Sequence, residues 1–249
     1  MLPNTLFIGQ QLHYLPVCES TNSEAQQLLN KNKATEGCTV LTSEQTKGRG
    51  QRGNNWEAEP GKNVTLSVIL SPVFLPVRQQ FYLNMAISLA VLDLLREQGA
   101  AEAQVKWPND LYVKDKKLGG ILIENTINSH SLQHSIVGIG LNINQLGFGI
   151  DTATSLAFVT GTELNLEHVT ARLLELLEKR YLELRNGKLA KLKYEYLQAL
   201  YRYQEQHQFI VDGKRISGNI IGIDEDGRLG VDIAGELRFF SFKEITYII

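Results

Sequence analysis

The chain has 249 residues, 43% hydrophobic and 21% charged, which is the balance of a globular protein rather than a disordered or collagen-like one. Lys and Arg number 25 against 27 Asp and Glu, a formal net charge of -2, so a basic nucleic-acid-binding domain is not expected. Two cysteines, Cys18 and Cys38, are too few for a disulfide scaffold and read as buried, reduced thiols.

Residues 1–30 contain no Lys or Arg, so the basic start of a signal peptide is missing. In chain order, Thr21-Asn-Ser-Glu24 has capping-box spacing, and Ala25, Leu28 and Leu29 supply an apolar stripe, which predicts a helix from about residue 22. A short strand follows at 40–42. Residues 45–60 show neither period and read as a loop. Val64, Leu66, Val68 and Leu70 alternate with Thr65, Ser67, Ile69 and Ser71, a strand signal. Segment 63–77 is the most apolar, but Pro72 and Pro76 interrupt it, so no bilayer span is expected. A soluble, cytoplasmic protein is the expectation.

A helix over 78–98 closes on Gly99, and a strand over 104–107 is stopped by Pro108. Nearly continuous apolar runs at 121–125 and 135–144 predict strands in a sheet covered by helices. Val169, Leu173, Leu176, Leu177 and Leu184 mark another helix, and 188–200 one more. The charged residues of 175–185 read as a solvated face. Beyond about His207 the texture changes to short strands around Asp212-Gly213 and Asp226-Gly227, both hairpin signals. The expected division is a main domain at 1–207 and a small β-barrel at 208–249.

Four segments carry chemistry. Lys47-Gly-Arg-Gly-Gln-Arg-Gly-Asn-Asn-Trp56 packs three glycines and three cations into its first seven residues. Such a loop brings backbone N–H groups and guanidinium forks to an anion, although a solvated turn has the same composition. Neither the phosphate-loop pattern nor a complete Gly-x-Gly-x-x-Gly is present, since position 143 is Ile. Lys106-Trp-Pro-Asn-Asp110 sets an ammonium, an amide and a carboxylate at a strand end, suited to phosphates and a magnesium ion on Asp110, or to a self-capped turn. In Lys116-Lys-Leu-Gly-Gly-Ile-Leu-Ile-Glu124, paired glycines let Lys117 approach a ligand, where a solvated lysine is the plainer alternative. Gly138-Ile-Gly-Leu-Asn-Ile-Asn144 places two glycines in a strand, a hint of close approach, with Asn142 free to read a base. The five histidines show no metal-ligand spacing and no triad, and Asp224-Glu-Asp-Gly227 is a hairpin turn rather than a calcium loop. An anionic ligand, phosphates and a metal without a protein nucleophile suit a substrate carboxylate that itself attacks ATP.

These segments, with Glu19-Ser-Thr-Asn22, resemble biotin protein ligases in order and spacing from about residue 18 to 144. The resemblance implies an α+β fold: a mixed β-sheet with flanking helices, related to class II aminoacyl-tRNA synthetases and lipoate ligases, plus a small SH3-like C-terminal barrel. It implies activation of biotin by Mg-ATP to biotinyl-5′-AMP and transfer to a lysine of a biotin carboxyl carrier domain. On the matching positions, biotin falls to Ser20, Thr21, Asn22, Gln45, Gly48, Arg49, Gly50, Gln51 and Lys117. ATP falls to Arg52, Trp56, Lys106, Asn109, Asp110 and Asn142, with Asp110 on the metal. Arg49, Lys117, Lys106 and Asp110 take the catalytic roles. The pattern starts by residue 20, so the winged-helix DNA-binding domain of some members is not expected. Well-known bacterial members have Arg at Gln51 and a basic pair at Asn54-Asn55. The alternatives are a lipoate or octanoate ligase-like enzyme, which the polar Ser20, Thr21 and Gln45 disfavour, and a non-catalytic biotin-binding module, which the intact Lys106, Asp110 and Lys117 disfavour. A homodimer by strand-edge pairing is a further possibility of the fold.

Overall fold

The computed structural model describes residues 3–249, with the Arg52 side chain outside the described set. The elements are β1 (Leu12–Cys18), α1 (Thr21–Asn30), β2 (Thr39–Gln45), β3 (Val64–Leu70), α2 (Phe81–Glu97), β4 (Ala103–Lys106), β5 (Asp110–Val113), β6 (Lys116–Asn128) and β7 (Ser131–Leu141). Then come α3 (Leu156–Thr160), α4 (Leu166–Arg185), α5 (Leu189–Gln198), β8 (Gln206–Val211), β9 (Lys214–Ile223), β10 (Leu229–Ile233), β11 (Glu236–Phe240) and β12 (Ile245–Tyr247).

The alternating residues of β3 place it inside a seven-stranded sheet ordered β1-β2-β3-β7-β6-β5-β4. Only β1 and β2 pair in parallel; the other neighbours are antiparallel. Every residue of β3 is buried because both faces are covered. Val64, Leu66, Val68 and Leu70 join the large core with Leu83, Leu92, Leu173 and Leu177 of α2 and α4. On the other face Ile69 and Ile136 pack with Ala25 of α1, Cys38 and Val40. The helix pair α2–α4 therefore backs one face of the sheet, and α1 covers part of the other.

The C-terminal residues form a five-stranded antiparallel sheet ordered β11-β10-β9-β8-β12. Asp212 and Gly213 have φ of +49° and +74°, the left-handed pair that a tight β8–β9 hairpin needs. Phe209, Ile220, Val231 and Ile245 belong to the same apolar core as the first sheet. Trp107 Nε1 donates to Gly227 O at 2.9 Å and adds a specific tie between the two sheets. Among the described residues no helix is long and apolar enough to cross a membrane.

Several expectations need correction. The capping box does not form: Ser20 is the N-cap without a side-chain cap bond, and Thr21 is already helical. Its hydroxyl is engaged with Gln45 and Ser67 instead. The helix expected from 78 starts at Phe81, behind a 3-10 turn at Val77–Gln79. Strands β1 and β5 and helix α3 were not anticipated; Pro16 obscures β1, and β5 has only four residues directly after a turn-like Pro-Asn. The charges of 175–185 are not all solvated, because Glu178, Arg180 and Glu183 are buried. Cys18 and Cys38 are free and buried, as expected. Gly99, at φ +97°, ends α2 as anticipated.

Candidate active site

The floor of the site is written in the strand register. Thr65, Gly140, Gly120 and Asp110 stand opposite one another across β3, β7, β6 and β5, and Ser67, Gly138 and Leu122 form the next row. Small residues in the middle of both rows leave a trough on the sheet. Two of the glycines are required by what lies in it. A methyl at Gly138 would overlap the Asn22 amide, and one at Gly140 would overlap the Trp56 indole. The close approach expected of these glycines is thus made by the site's own side chains.

The trough opens into a cavity at the edge of the sheet's helix-covered region. The β1–α1 junction supplies Ser20, Thr21 and Asn22; the end of β2 supplies Gln45; the following loop supplies Arg49, Gly50, Gln51 and Trp56. Asn109, Asp110 and Lys117 come from β4–β6, and Phe242 reaches in from the second sheet. Ser20, Thr21, Asn22 and Asn109 are all buried, so their polar atoms need partners. Gln45 Oε1 accepts from Thr21 N at 2.8 Å and from Thr21 Oγ1 at 3.2 Å. Ser67 Oγ lies 2.7 Å from Thr21 Oγ1 and 2.6 Å from Asn22 Oδ1. Asn22 Nδ2 donates to Glu124 Oε2 at 2.7 Å, and Arg49 Nη2 reaches the same oxygen at 3.1 Å. Asn109 Nδ2 donates to Ile121 O. Both ends of the Arg49–Glu124 pair are more than a third exposed, so it holds the loop only weakly.

Lys117 Nζ sits 2.7 Å from Asp110 Oδ1, directly over Gly120. Its backbone is clamped by the downstream loop, donating to Thr152 O and accepting from Thr154 N. This lysine faces two cavities. The second is lined by Trp56, Tyr112, Lys117, Asn142 and the 145–153 loop. Here Trp56 Nε1 and Asn142 Oδ1 are buried with no hydrogen-bond partner, one donor and one acceptor left for a ligand.

Of the expected site residues, the structure thus gathers Ser20, Thr21, Asn22, Gln45, Arg49, Gly50, Gln51, Trp56, Asn109, Asp110 and Lys117 around one cavity, and Asn142 with Trp56 around its neighbour. Gly48 stands apart, at the base of the loop, where its carbonyl accepts from Trp56 N. Lys106 does not line either cavity; its ammonium lies among tyrosines instead. Burial lowers the Lys106 pKa, opposed by Asp110 and reinforced by Lys117 and Arg202. The Arg52 expectation lies outside the described residues. Ser67, Glu124 and Phe242 were not singled out in the sequence. Ser67 carried a signal, a polar residue mid-strand, while Phe242 carried none because it arrives from the far end of the chain.

Among the described residues no three His, Cys, Asp or Glu side chains cluster as a metal site. Asp110 is the carboxylate that lines the cavity, paired there with Lys117, and a magnesium ion that keeps water and phosphate oxygens as most of its ligands would need only one such group.

Residues 14–142 match the Biotin/lipoate A/B protein ligase family. The chain belongs to that family. It is 35% identical over 182 residues to the bifunctional ligase/repressor BirA of Bacillus subtilis, covering 71% of this chain. It spans about half of that relative's length, 55%. It is 30% identical over 244 residues to the biotin–[acetyl-CoA-carboxylase] ligase of Mycobacterium tuberculosis, covering 96% of this chain and 90% of the relative. The fold matches the biotin protein ligase of Aquifex aeolicus, solved in complex with biotin and ATP, with a TM-score of 0.80 and 23% identity over 95% of this chain and 98% of that one. The mixed sheet with flanking helices is therefore the architecture of this family's ligases.

Proposed function

We propose that the chain is a biotin–protein ligase, joining biotin to ATP as biotinyl-5′-AMP and then to a lysine of a biotin carboxyl carrier domain. The observation that carries this is the Lys117–Asp110 pair at the junction of two cavities, one lined by buried hydroxyls and amides and the other offering an unpaired donor and acceptor. The names of the Mycobacterium tuberculosis and Aquifex aeolicus relatives support it.

In this reading the biotin head lies among Ser20, Thr21, Asn22 and Gln45, whose donors and acceptors suit a ureido ring. Its carboxylate attacks the α-phosphorus of ATP, and pyrophosphate leaves. Arg49 and Lys117 neutralise the charge that develops on the carboxylate and α-phosphate oxygens, Arg49 leaving its weak pairing with Glu124 to do so. Trp56 stacks on adenine, Asn142 Oδ1 accepts from its amino group, and Arg52 and Asn109 serve the phosphates. Asp110 would hold the magnesium ion that accompanies ATP, and the ion would add to the neutralisation of phosphate charge. The acceptor ε-amine then attacks the acyl carbon and AMP leaves. Gly50 and Gln51 belong to the loop that covers the adenylate and keeps water from it. Residues 1–207 carry this chemistry and 208–249 form the appended SH3-like unit; the site of action is the cytoplasm, and a sheet edge offers the surface for a homodimer.

Biotin-dependent exchange of pyrophosphate into ATP tests the assignment of roles. Lys117→Gln is expected to lower exchange by about 10²–10³ with the fold retained. Exchange at the unmodified rate in that variant would remove Lys117 from the mechanism.

A further inference from the structure

The ammonium of Lys106 is held in an aromatic cage that joins the two sheets. Strand β4 ends at Lys106, in register with Asp110 across the β4–β5 hairpin. Nζ lies 4.6 Å from the centroid of the Tyr112 ring and 5.1 Å from that of Tyr247. It also donates to Tyr112 Oη at 3.2 Å. Tyr201 closes the group, with its ring centroid 5.6 Å from Tyr112 and 6.1 Å from Tyr247. The three tyrosines have different duties. Tyr112 lines the cavity assigned above to the nucleotide, whereas Tyr247 lies on β12, an edge strand of the second sheet, and lines neither cavity.

Partly burying an ammonium is unfavourable, and here the opposite charge of Asp110 is countered by the like charges of Lys117 and Arg202. The cage offsets part of that cost through cation–ring attraction. A lysine kept where the fold gains little from its charge points to a role in the neighbouring site. To touch a phosphate directly, Nζ would have to leave both rings and the Tyr112 hydroxyl.

We propose that Lys106 is a positioning residue through which the second sheet sets the nucleotide site. Clamped between Tyr247 and Tyr112, it fixes the Tyr112 wall of that cavity and the adjoining Asp110. The inference rests on the nucleotide occupying the cavity lined by Tyr112, Trp56 and Asn142.

The test uses the full chain and the variants Lys106→Met, Lys106→Arg, Tyr247→Leu and Tyr247→Phe. ATP affinity is read by calorimetry without biotin, KM values for ATP and biotin by pyrophosphate exchange, and stability by thermal melting. Lys106→Met and Tyr247→Leu are each expected to weaken ATP binding about tenfold, the scale of a desolvated cation–ring contact. The KM for biotin stays within about twofold, since the lost interaction does not touch it. The double variant is expected to be no weaker than either single one, because both break the same clamp. Lys106→Met leaves Tm nearly unchanged, because the desolvation it relieves offsets the cation–ring contacts it loses. Lys106→Arg and Tyr247→Phe stay close to the unmodified protein; the first keeps a cation on the rings, and the second loses only a hydroxyl that has no partner. If Lys106→Met weakens ATP binding and a folded Tyr247→Leu does not, Lys106 touches phosphate and the clamp is wrong. Equal loss of biotin and ATP affinity together with a lowered Tm would mean a structural role only. An unmodified chain that binds ATP without exchange contradicts the ligase reading and leaves the clamp to the affinity measurements; one that binds no ATP overturns both.

Discussion

Gly138 and Gly140 are the residues at which a single atom decides the site. A Cβ at Gly138 meets the Asn22 amide, and one at Gly140 meets the Trp56 indole, so each addition displaces a different side chain of the site. Gly138→Ala is expected to raise the KM for biotin on the order of tenfold and leave that for ATP nearly unchanged; Gly140→Ala is expected to do the reverse. Steady-state exchange kinetics read both, and unchanged KM values in either variant would show that its neighbour does not contact that ligand. Gln51 lines both the central cavity and the outer groove beside Phe242. Gln51→Ala should lower adenylate formation well beyond the effect of Lys179→Ala on the exposed face of α4, and an equal effect would show that Gln51 is dispensable. At this scale the sequence was most legible where a motif is contiguous: Arg49, Gln51 and Trp56 share one loop, and Lys117 follows Asp110 closely. Ser67 and Glu124 were hidden because their partner, Asn22, meets them only through the register of three strands.

Among the elements, α4 departs furthest from its sequence pattern. Arg180 is buried and pairs with Asp93 of α2 at 2.8 Å, with Glu183 at 3.0 Å, and with Glu195 of α5. Glu183 is held ionised, its pKa lowered by Lys191 and Arg180 against the opposing effect of burial. This network ties α2, α4 and α5 together behind the sheet. Arg180→Met should lower the unfolding free energy by about 1–3 kcal/mol, because it leaves the half-buried Asp93 without a cation while Glu183 and Glu195 keep Lys191. Urea denaturation measures it, and a loss below about 1 kcal/mol, the scale of an exposed pair, would show that solvent still screens the network. Charges spaced three and four apart look alike in sequence whether water or another helix faces them. That is why 175–185 reads as solvated, while the purely apolar stripe of the same helix predicts α4. Strand β5 escaped for a different reason: four residues after a proline carry too little period to outweigh a turn signal.

Across the whole molecule, burial raises the pKa of the Tyr112, Tyr181, Tyr196 and Tyr247 phenols and pushes the Cys38 thiol up to about 11. The folded chain thus keeps protons that the unfolded chain releases near the ordinary values of 9.0 for Cys and 10.0 for Tyr. The corresponding stability is fully present below those values and is lost as pH climbs through the raised ones. Phenolate absorbance of the buried tyrosines should therefore appear together with loss of circular dichroism, in one cooperative alkaline transition. Full phenolate absorbance at the ordinary tyrosine range with the dichroism intact would contradict the burial. The second sheet was legible from its Asp-Gly turns, but its docking was not. Gly227 and Phe242 meet Trp107, and Tyr247 meets Lys106, through contacts between residues far apart in the chain, which no local pattern reveals.

The proposed function turns on which acid the two cavities activate. Exchange of pyrophosphate into ATP, measured with biotin, lipoate and octanoate in parallel on the unmodified chain, tests it most directly. Exchange that depends on biotin and is absent with the two fatty acids is the predicted result. Exchange with lipoate or octanoate in place of biotin, or none despite biotin binding, would contradict it.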